Sequence, residues 1–414
     1  MNRTKFFNRL DISFAILVLV YLCFSPLAVF CQGFQFNNGR KQQTLPFDLI
    51  KNLIIIPIYI NDKGPFNFIL DTGVSPMIVT DTTLKESLKI SYPRPIKISG
   101  YGNFEGIDAF LGVTSVKIGD AEAENIATVF LKDNILPLSG FVGKKIYGLI
   151  GYSFFSSFVV KINYSTKSLR FTSYNKKVKL KGEKIPIELI ENKPYVSLSI
   201  EQAGLGTKTI KALVDCGASH AISLETLGGG KPFPQPEFSM SANLGNSLTG
   251  TITGRIGRVL SLKLGVFKFK EVISHYPVYN IDTLKKIDRN GNLGSEILSR
   301  FNTIYDYRNG YMYIKKNEKF NRPFEHDMSG IELYADDGPP SRTLINRIEP
   351  ESPADLIGLK EGDEIISINF KKIDDYALDE IASIFKAKNS YSVVLEIWRG
   401  KSSFIKLLKL KKRI

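Results

Sequence analysis

Phe66-Asn67-Phe68-Ile69-Leu70-Asp71-Thr72-Gly73-Val74-Ser75-Pro76-Met77-Ile78-Val79 and Ile210-Lys211-Ala212-Leu213-Val214-Asp215-Cys216-Gly217-Ala218-Ser219-His220-Ala221-Ile222-Ser223-Leu224 are two copies of one pattern. Each is a short apolar run that ends in Asp-x-Gly and then returns to apolar sequence, as a buried strand followed by a tight loop would. The aspartates lie 144 positions apart (215 − 71). Downstream landmarks repeat at an offset of 143: Gly151 with Gly294, Phe158 with Phe301, Asn163-Tyr164 with Asp306-Tyr307, and Gly102-Asn103 with Gly245-Asn246. Near-constant offsets across so long a stretch read as an internal duplication.

Patterning in both copies is β. IIIPIYI, FNFIL, VVKI and YVSLSI are short, rich in β-branched or aromatic residues and bounded by Gly, Pro, Asn or Asp. Short helices are expected in YSFFSSF and SEILSRF, directly after the GLIG and GNLG elements. Pro186 and the lysine-rich stretch from Lys176 to Lys184 mark a seam between the copies.

Chemistry follows from the loops. A strand that ends in Asp fixes the carboxylate, the glycine admits close approach by another backbone, and the Thr72 hydroxyl can bond to the partner loop. Two such loops facing each other bring two carboxylates so close that both cannot readily ionise, and the pair shares a proton. The ionised member then takes a proton from water while the other polarises a carbonyl.

On these motifs the chain resembles the retropepsin and pepsin type of aspartic peptidase over roughly residues 45 to 320. The resemblance implies two related β lobes and a catalytic pair, Asp71 and Asp215, with Thr72, Gly73, Cys216 and Gly217 as loop support. Leu149-Ile150-Gly151 and Asn292-Leu293-Gly294 resemble the family's apolar-apolar-Gly element, which threads behind each catalytic loop. Tyr101, Gly102 and Gly245 become flap candidates. Cys216 departs from the family's Thr or Ser, and a thiol is the weaker donor, so the bond between the loops is expected to be poorer. A second reading therefore stays open, a catalytically weak or inactive peptide-binding envelope protein that keeps the protease fold. A cysteine nucleophile at Cys216 with His220 is disfavoured, because a thiolate beside Asp215 would be repelled. Gly245-Asn246-Ser247 lacks the sequence context of a serine nucleophile.

From about residue 325 the pattern changes. Ser329-Gly330-Ile331-Glu332-Leu333, then Ile348-Glu349-Pro350-Glu351-Ser352-Pro353-Ala354, then Gly358-Leu359-Lys360-Glu361-Gly362-Asp363 resemble a PDZ domain. The resemblance implies that a peptide adds as a strand, its terminal carboxylate met by the loop at Gly330, Ile331, Glu332 and Leu333. The expected organisation is a signal peptide over 1–31, lobes over 45–180 and 185–320, and a small α+β PDZ-like domain over 325–414, making the chain mainly β.

Composition agrees with a folded protein of two or three domains: 414 residues, 43% hydrophobic and 23% charged. The formal charge of +14 comes without a nucleic-acid-binding signature, so protein or peptide substrates, and no nucleic acid, are the expected partners. Arg3, Lys5 and Arg9 precede the apolar run Ile12–Phe24, a Ser25-Pro26 break and a small-residue exit, which describes an export signal leading to the periplasm, the cell envelope or the outside. Retention of Ile12–Cys31 as a membrane anchor, or lipid on Cys31, stays open. Beyond Cys23 and Cys31 the only cysteine is Cys216, and the three histidines are scattered, so neither a disulfide, a metal nor a cofactor is expected.

Overall fold

The protein is represented by a computed structural model that describes residues 33–100, 103–247, 250–336 and 341–414. The stretch expected to be an export signal and two of the flap candidates, Tyr101 and Gly102, lie outside the described residues.

Each Asp-x-Gly loop ends a strand inside a mixed sheet. In the first lobe the strands run, side by side, Asp48–Ile50, Leu53–Ile60, Lys63–Leu70, Gly148–Ile150, Met77–Val79, Ala121–Leu131, Asn103–Ile118 and Ser91–Gly100. In the second they run Glu188–Ile190, Lys193–Gln202, Gly206–Val214, Gly291–Leu293, Ile222–Leu224, Phe267–Pro277, Gly250–Leu264 and Ser239–Ser247. Apart from an added edge strand, Gln35–Phe36, beside Ala121–Leu131 in the first lobe, the connectivity is the same strand for strand. Even the opening hairpins match: Lys51-Asn52 and Glu191-Asn192 both hold positive φ, the two-residue turn whose twist suits paired strands. The expected helices follow each glycine element, at Tyr152–Phe155 and Ser295–Leu298.

A third sheet joins the lobes. Its order is Glu183–Pro186, Tyr311–Lys316, Phe301–Asp306, Phe158–Asn163, Ser168–Ser173 and Gln42–Pro46. The seam is the antiparallel pair at its centre, where Val160 faces Tyr305 and Ile162 faces Thr303. Three strands come from each side, so the lysine-rich link leads directly into the shared sheet rather than into a free linker. Phe155 packs on Tyr305 and Tyr307 at ring distances of 5.2 and 5.5 Å, and one buried core runs through both lobes. The lobes cannot separate without exposing it, which fixes the two Asp loops relative to each other.

The C-terminal segment has its own core and a sheet ordered Ile331–Ala335, Thr343–Ile348, Glu364–Ile368, Ser392–Arg399 and Ser402–Lys409, with a helix at Leu378–Phe385. Asp363, buried in the turn before Glu364, is paired with Arg399 at 2.5 Å. The buried Arg300 guanidinium donates to the carbonyls of Lys319, Phe320, Arg322 and Pro323 and stacks 3.7 Å from the Phe324 ring, clamping the link to the second lobe. A short helix of the first lobe, Leu138–Val142, packs on Ile331–Ala335, and Gly140 lies so close to the Tyr334 ring that a Cβ there would fall 1.6 Å from it. Among the described residues no helix is long and apolar enough to cross a membrane.

Candidate active site

Asp71 follows the strand Lys63–Leu70, and its N–H donates to the Ile150 carbonyl at 2.8 Å; the Asp215 N–H donates likewise to Leu293 at 3.0 Å. The glycine elements thus brace both loops from behind. Gly151 and Gly294 are needed there, since a Cβ would meet the Asp71 carbonyl or the His220 carbonyl at 2.1 Å. In front, Gly73 N–H donates to Asp71 Oδ1 at 2.7 Å and Gly217 N–H to Asp215 Oδ1 at 2.9 Å. The two carboxyl groups hydrogen-bond to each other. Burial pushes the Asp71 pKa well above the ordinary carboxylate range, and the neighbouring Asp215 charge and the bond between them raise it further.

The loops are tied crosswise. Thr72 Oγ1 donates to the Val214 carbonyl at 2.7 Å and accepts from the Cys216 N–H at 3.0 Å. In return the Thr72 N–H donates to Cys216 Sγ at 3.3 Å, and the thiol donates to the Leu70 carbonyl at 3.1 Å. Cys216 therefore makes the contacts that a hydroxyl would make, although sulfur is the weaker partner. Both cross-loop contacts are present because the wider sulfur reaches both backbone groups. Burial, then the Asp71 charge, push the thiol pKa far up, so it stays protonated. Cys216→Ala should cost about 1–3 kcal/mol by leaving the buried Thr72 N–H without its partner. Cys216→Thr should keep the tie. Thermal melts of the two variants check this, and equal melting temperatures would refute it.

Asp71 and the Gly151 element lie inside the stretch that a family model matches. Residues 56–154 match an aspartyl protease family model. Residues 344–399 match a PDZ domain model. The chain is similar to the carboxyl-terminal-processing peptidase 1, chloroplastic, of Arabidopsis thaliana, 27% identical over 101 residues, which is 23% of this chain and 21% of that protein. It is also similar to the carboxy-terminal processing protease CtpB of Bacillus subtilis (strain 168), 29% identical over 126 residues, 30% of this chain and 26% of that one. It thus spans about a fifth to a quarter of the length of these curated relatives. Among solved structures, the aspartic proteinase from Irpex lacteus is similar at 10% identity, with 68% of this chain and 99% of that chain covered and a TM-score of 0.42.

The aspartyl-protease-like cleft is a cavity of about 310 Å³ that holds Asp71, Asp215 and Gly217. Of the flap candidates, Gly245 is placed: it sits with φ +118° at a bulge in the hairpin formed by Ser239–Ser247 and Gly250–Leu264, and it lines the cleft beside Leu244 and Asn246. Several cleft residues make contacts that the sequence reading did not expect. Asn292 donates through Nδ2 to Asp215 Oδ2 at 2.8 Å. His220 and His275, 55 positions apart, lie with ring centroids 5.0 Å apart and planes tilted by 35°. Glu225 is buried and paired with Arg289 at 3.2 Å; burial lifts its pKa to about 7 against the pull of that arginine. The available signal for Asn292 was its match to Leu149, where an apolar residue stood in the first copy. Among the described residues no group of three or more His, Cys, Asp or Glu could hold a metal.

The PDZ loop differs from its expectation. The N–H groups of Ser329 and Gly330 both donate to Asp327 Oδ1, at 2.9 and 2.8 Å, and the Ile331 N–H donates to Ser329 Oγ at 3.0 Å. The loop's own carboxylate and hydroxyl occupy donors that a peptide terminus would use. A groove of about 250 Å³ lies beside them, lined by Gly330, Ile331, Glu332, Leu333 and Phe385. Phe141, Ser219, Leu244, Gly245 and Glu332 line both this groove and the catalytic cleft.

Proposed function

We propose that the chain is an exported aspartic endopeptidase in which Asp71 and Asp215 activate water against a peptide bond, with the PDZ domain as a docking site for an extended peptide. The observation that carries this reading is the pair of hydrogen-bonded carboxyls held by crosswise-tied loops. Asp71, whose proton is held by burial and by the Asp215 charge, donates to the substrate carbonyl. Asp215 takes a proton from water, whose oxygen forms a bond to the carbonyl carbon. Collapse of the tetrahedral species breaks the C–N bond as a proton passes to the departing amine, so one water is consumed and no covalent enzyme intermediate forms.

The cysteine in the second loop gives no support to an inactive relic, since it makes both cross-loop contacts. Matching topology and offsets support an origin by duplication. Export rests on the basic flank and the apolar run at the N-terminus. Because the PDZ loop donors are already filled and the helix Leu138–Val142 packs on the strand Ile331–Ala335, the PDZ domain is proposed to hold peptide side chains in the groove that shares Leu244, Gly245 and Glu332 with the cleft, rather than to capture a terminal carboxylate.

The test is cleavage of a peptide library from acidic to neutral pH by wild type, Asp71→Ala and Asp215→Ala. Cleavage by wild type that disappears in both variants is expected. A well-folded wild type that cuts nothing at any pH refutes the enzymatic reading.

A further inference from the structure

The two lobes present equivalent positions to the cleft with opposite chemistry. In the first lobe, strand pairing places Ile69 beside Leu149, Leu149 beside Ile78 and Ile78 beside Val129. In the second, the same pairings place Leu213 beside Asn292, Asn292 beside Ser223 and Ser223 beside His275. Three apolar residues on one side thus correspond to an amide, a hydroxyl and an imidazole on the other. Ile78 and Leu149 line the cleft on the first side, and Ser223, His275 and Asn292 on the second.

The polar side is also left unfinished. Asn292 Oδ1 and His220 Nε2 are buried without a hydrogen-bond partner. Buried groups of this kind are costly unless something completes them. Burial lowers the proton affinity of both His220 and His275, so the neighbouring rings offer no fixed positive charge to an acidic side chain. An acidic group would also approach Asp215 and the Asn292 carbonyl oxygen. A cation would find the Glu225 carboxylate already paired with Arg289. A neutral side chain that both donates and accepts meets neither objection.

We propose that the cleft carries two unlike subsites, an apolar one on the first lobe and, on the second, one formed by Ser223, His275, Asn292 and His220 that takes a neutral hydrogen-bonding side chain such as the amide of glutamine or asparagine. The proposal rests on the peptidase reading for its place beside the scissile bond. Its chemistry comes from the strand register and from the unpartnered polar atoms on the second side. A single chain permits the difference, since two identical subunits would repeat one set of residues on both sides.

Binding tests it separately from cleavage. Reduced-amide peptides, which cannot be hydrolysed, are titrated calorimetrically into the full chain with leucine, glutamine, glutamate or lysine on either side of the reduced bond. Peptides with leucine on one side and glutamine on the other should bind at least about tenfold tighter than leucine–leucine peptides. Ser223→Ile with His275→Val, which installs the first-lobe residues, should erase or reverse that preference. Ser223→Ala serves as the milder variant should the pair fail to fold, and it should narrow the preference. Equal or tighter binding of the leucine–leucine peptide to wild type, a preference for a charged side chain, or no binding of any peptide overturns the proposal. Binding with glutamine preference but no cleavage of the matching natural peptide would overturn the peptidase reading and leave the subsite standing.

Discussion

Asp71→Asn should abolish peptide cleavage and at the same time make the protein more resistant to heat at neutral pH. Loss of one member of an acid–base pair lowers the rate by about 10²–10⁴ or more. The stability gain follows from linkage. The folded-state pKa of Asp71 lies above that of the unfolded chain, about 3.9, so the folded protein binds this proton more tightly. Wild-type stability is then full at low pH and is lost as pH rises from about 4 through the raised pKa, by about 1.4 kcal/mol for each unit of the shift. The amide has no proton to lose. Melting curves from about pH 3 to about pH 8, bracketing the carboxylate and histidine ranges, should show the variant and wild type converging at the acid end and separating above it. Parallel curves would mean that the dyad does not store this energy.

Gly217→Ala should be nearly as damaging to activity without touching either carboxylate. A Cβ at Gly217 would lie 2.2 Å from both Cγ and Oδ2 of Asp71, far inside contact distance. Neither partner can yield easily: Asp71 is bonded to Gly73 and coupled to Asp215, and the adjoining Thr72 and Cys216 are buried and cross-tied. At Gly73 the same addition meets Asp215 Cγ at 3.1 Å, which a shift of a few tenths of an ångström relieves. The loops correspond, but the expected effects are unequal. Single-turnover cleavage should show a much larger loss for Gly217→Ala than for Gly73→Ala, with far-ultraviolet circular dichroism of both variants like that of wild type. Equal losses would refute the asymmetry.

Much of this was legible in the chain itself. The repeat offset matched the two Asp loops, the two bracing glycines and the central strands at Phe158 and Phe301, because each must satisfy the same buried backbone geometry twice. The short helices after Gly151 and Gly294 followed from apolar spacing. What escaped was whatever depends on long-range pairing. His220 and His275 looked scattered, yet parallel pairing of Ile222–Leu224 with Phe267–Pro277 brings them together. Asn292 was visible only as a departure from Leu149. The weakness expected at Cys216 was argued from donor strength, and that sulfur reaches both backbone groups of the facing loop was not visible in the sequence. Asp327 lay outside the glycine motif, and only the turn geometry shows that it fills the donors of the PDZ loop.

The six-stranded sheet between the lobes has a consequence for behaviour in dilute solution. Where a two-Asp site is assembled from separate subunits, the fraction of complete sites falls as the protein is diluted below its dissociation constant. Here both loops are held by strands of one chain, with Val160 and Tyr305 paired at the centre, so completing the site is a first-order event. Each molecule, alone in a large volume, would carry its whole dyad, however few of its kind were nearby.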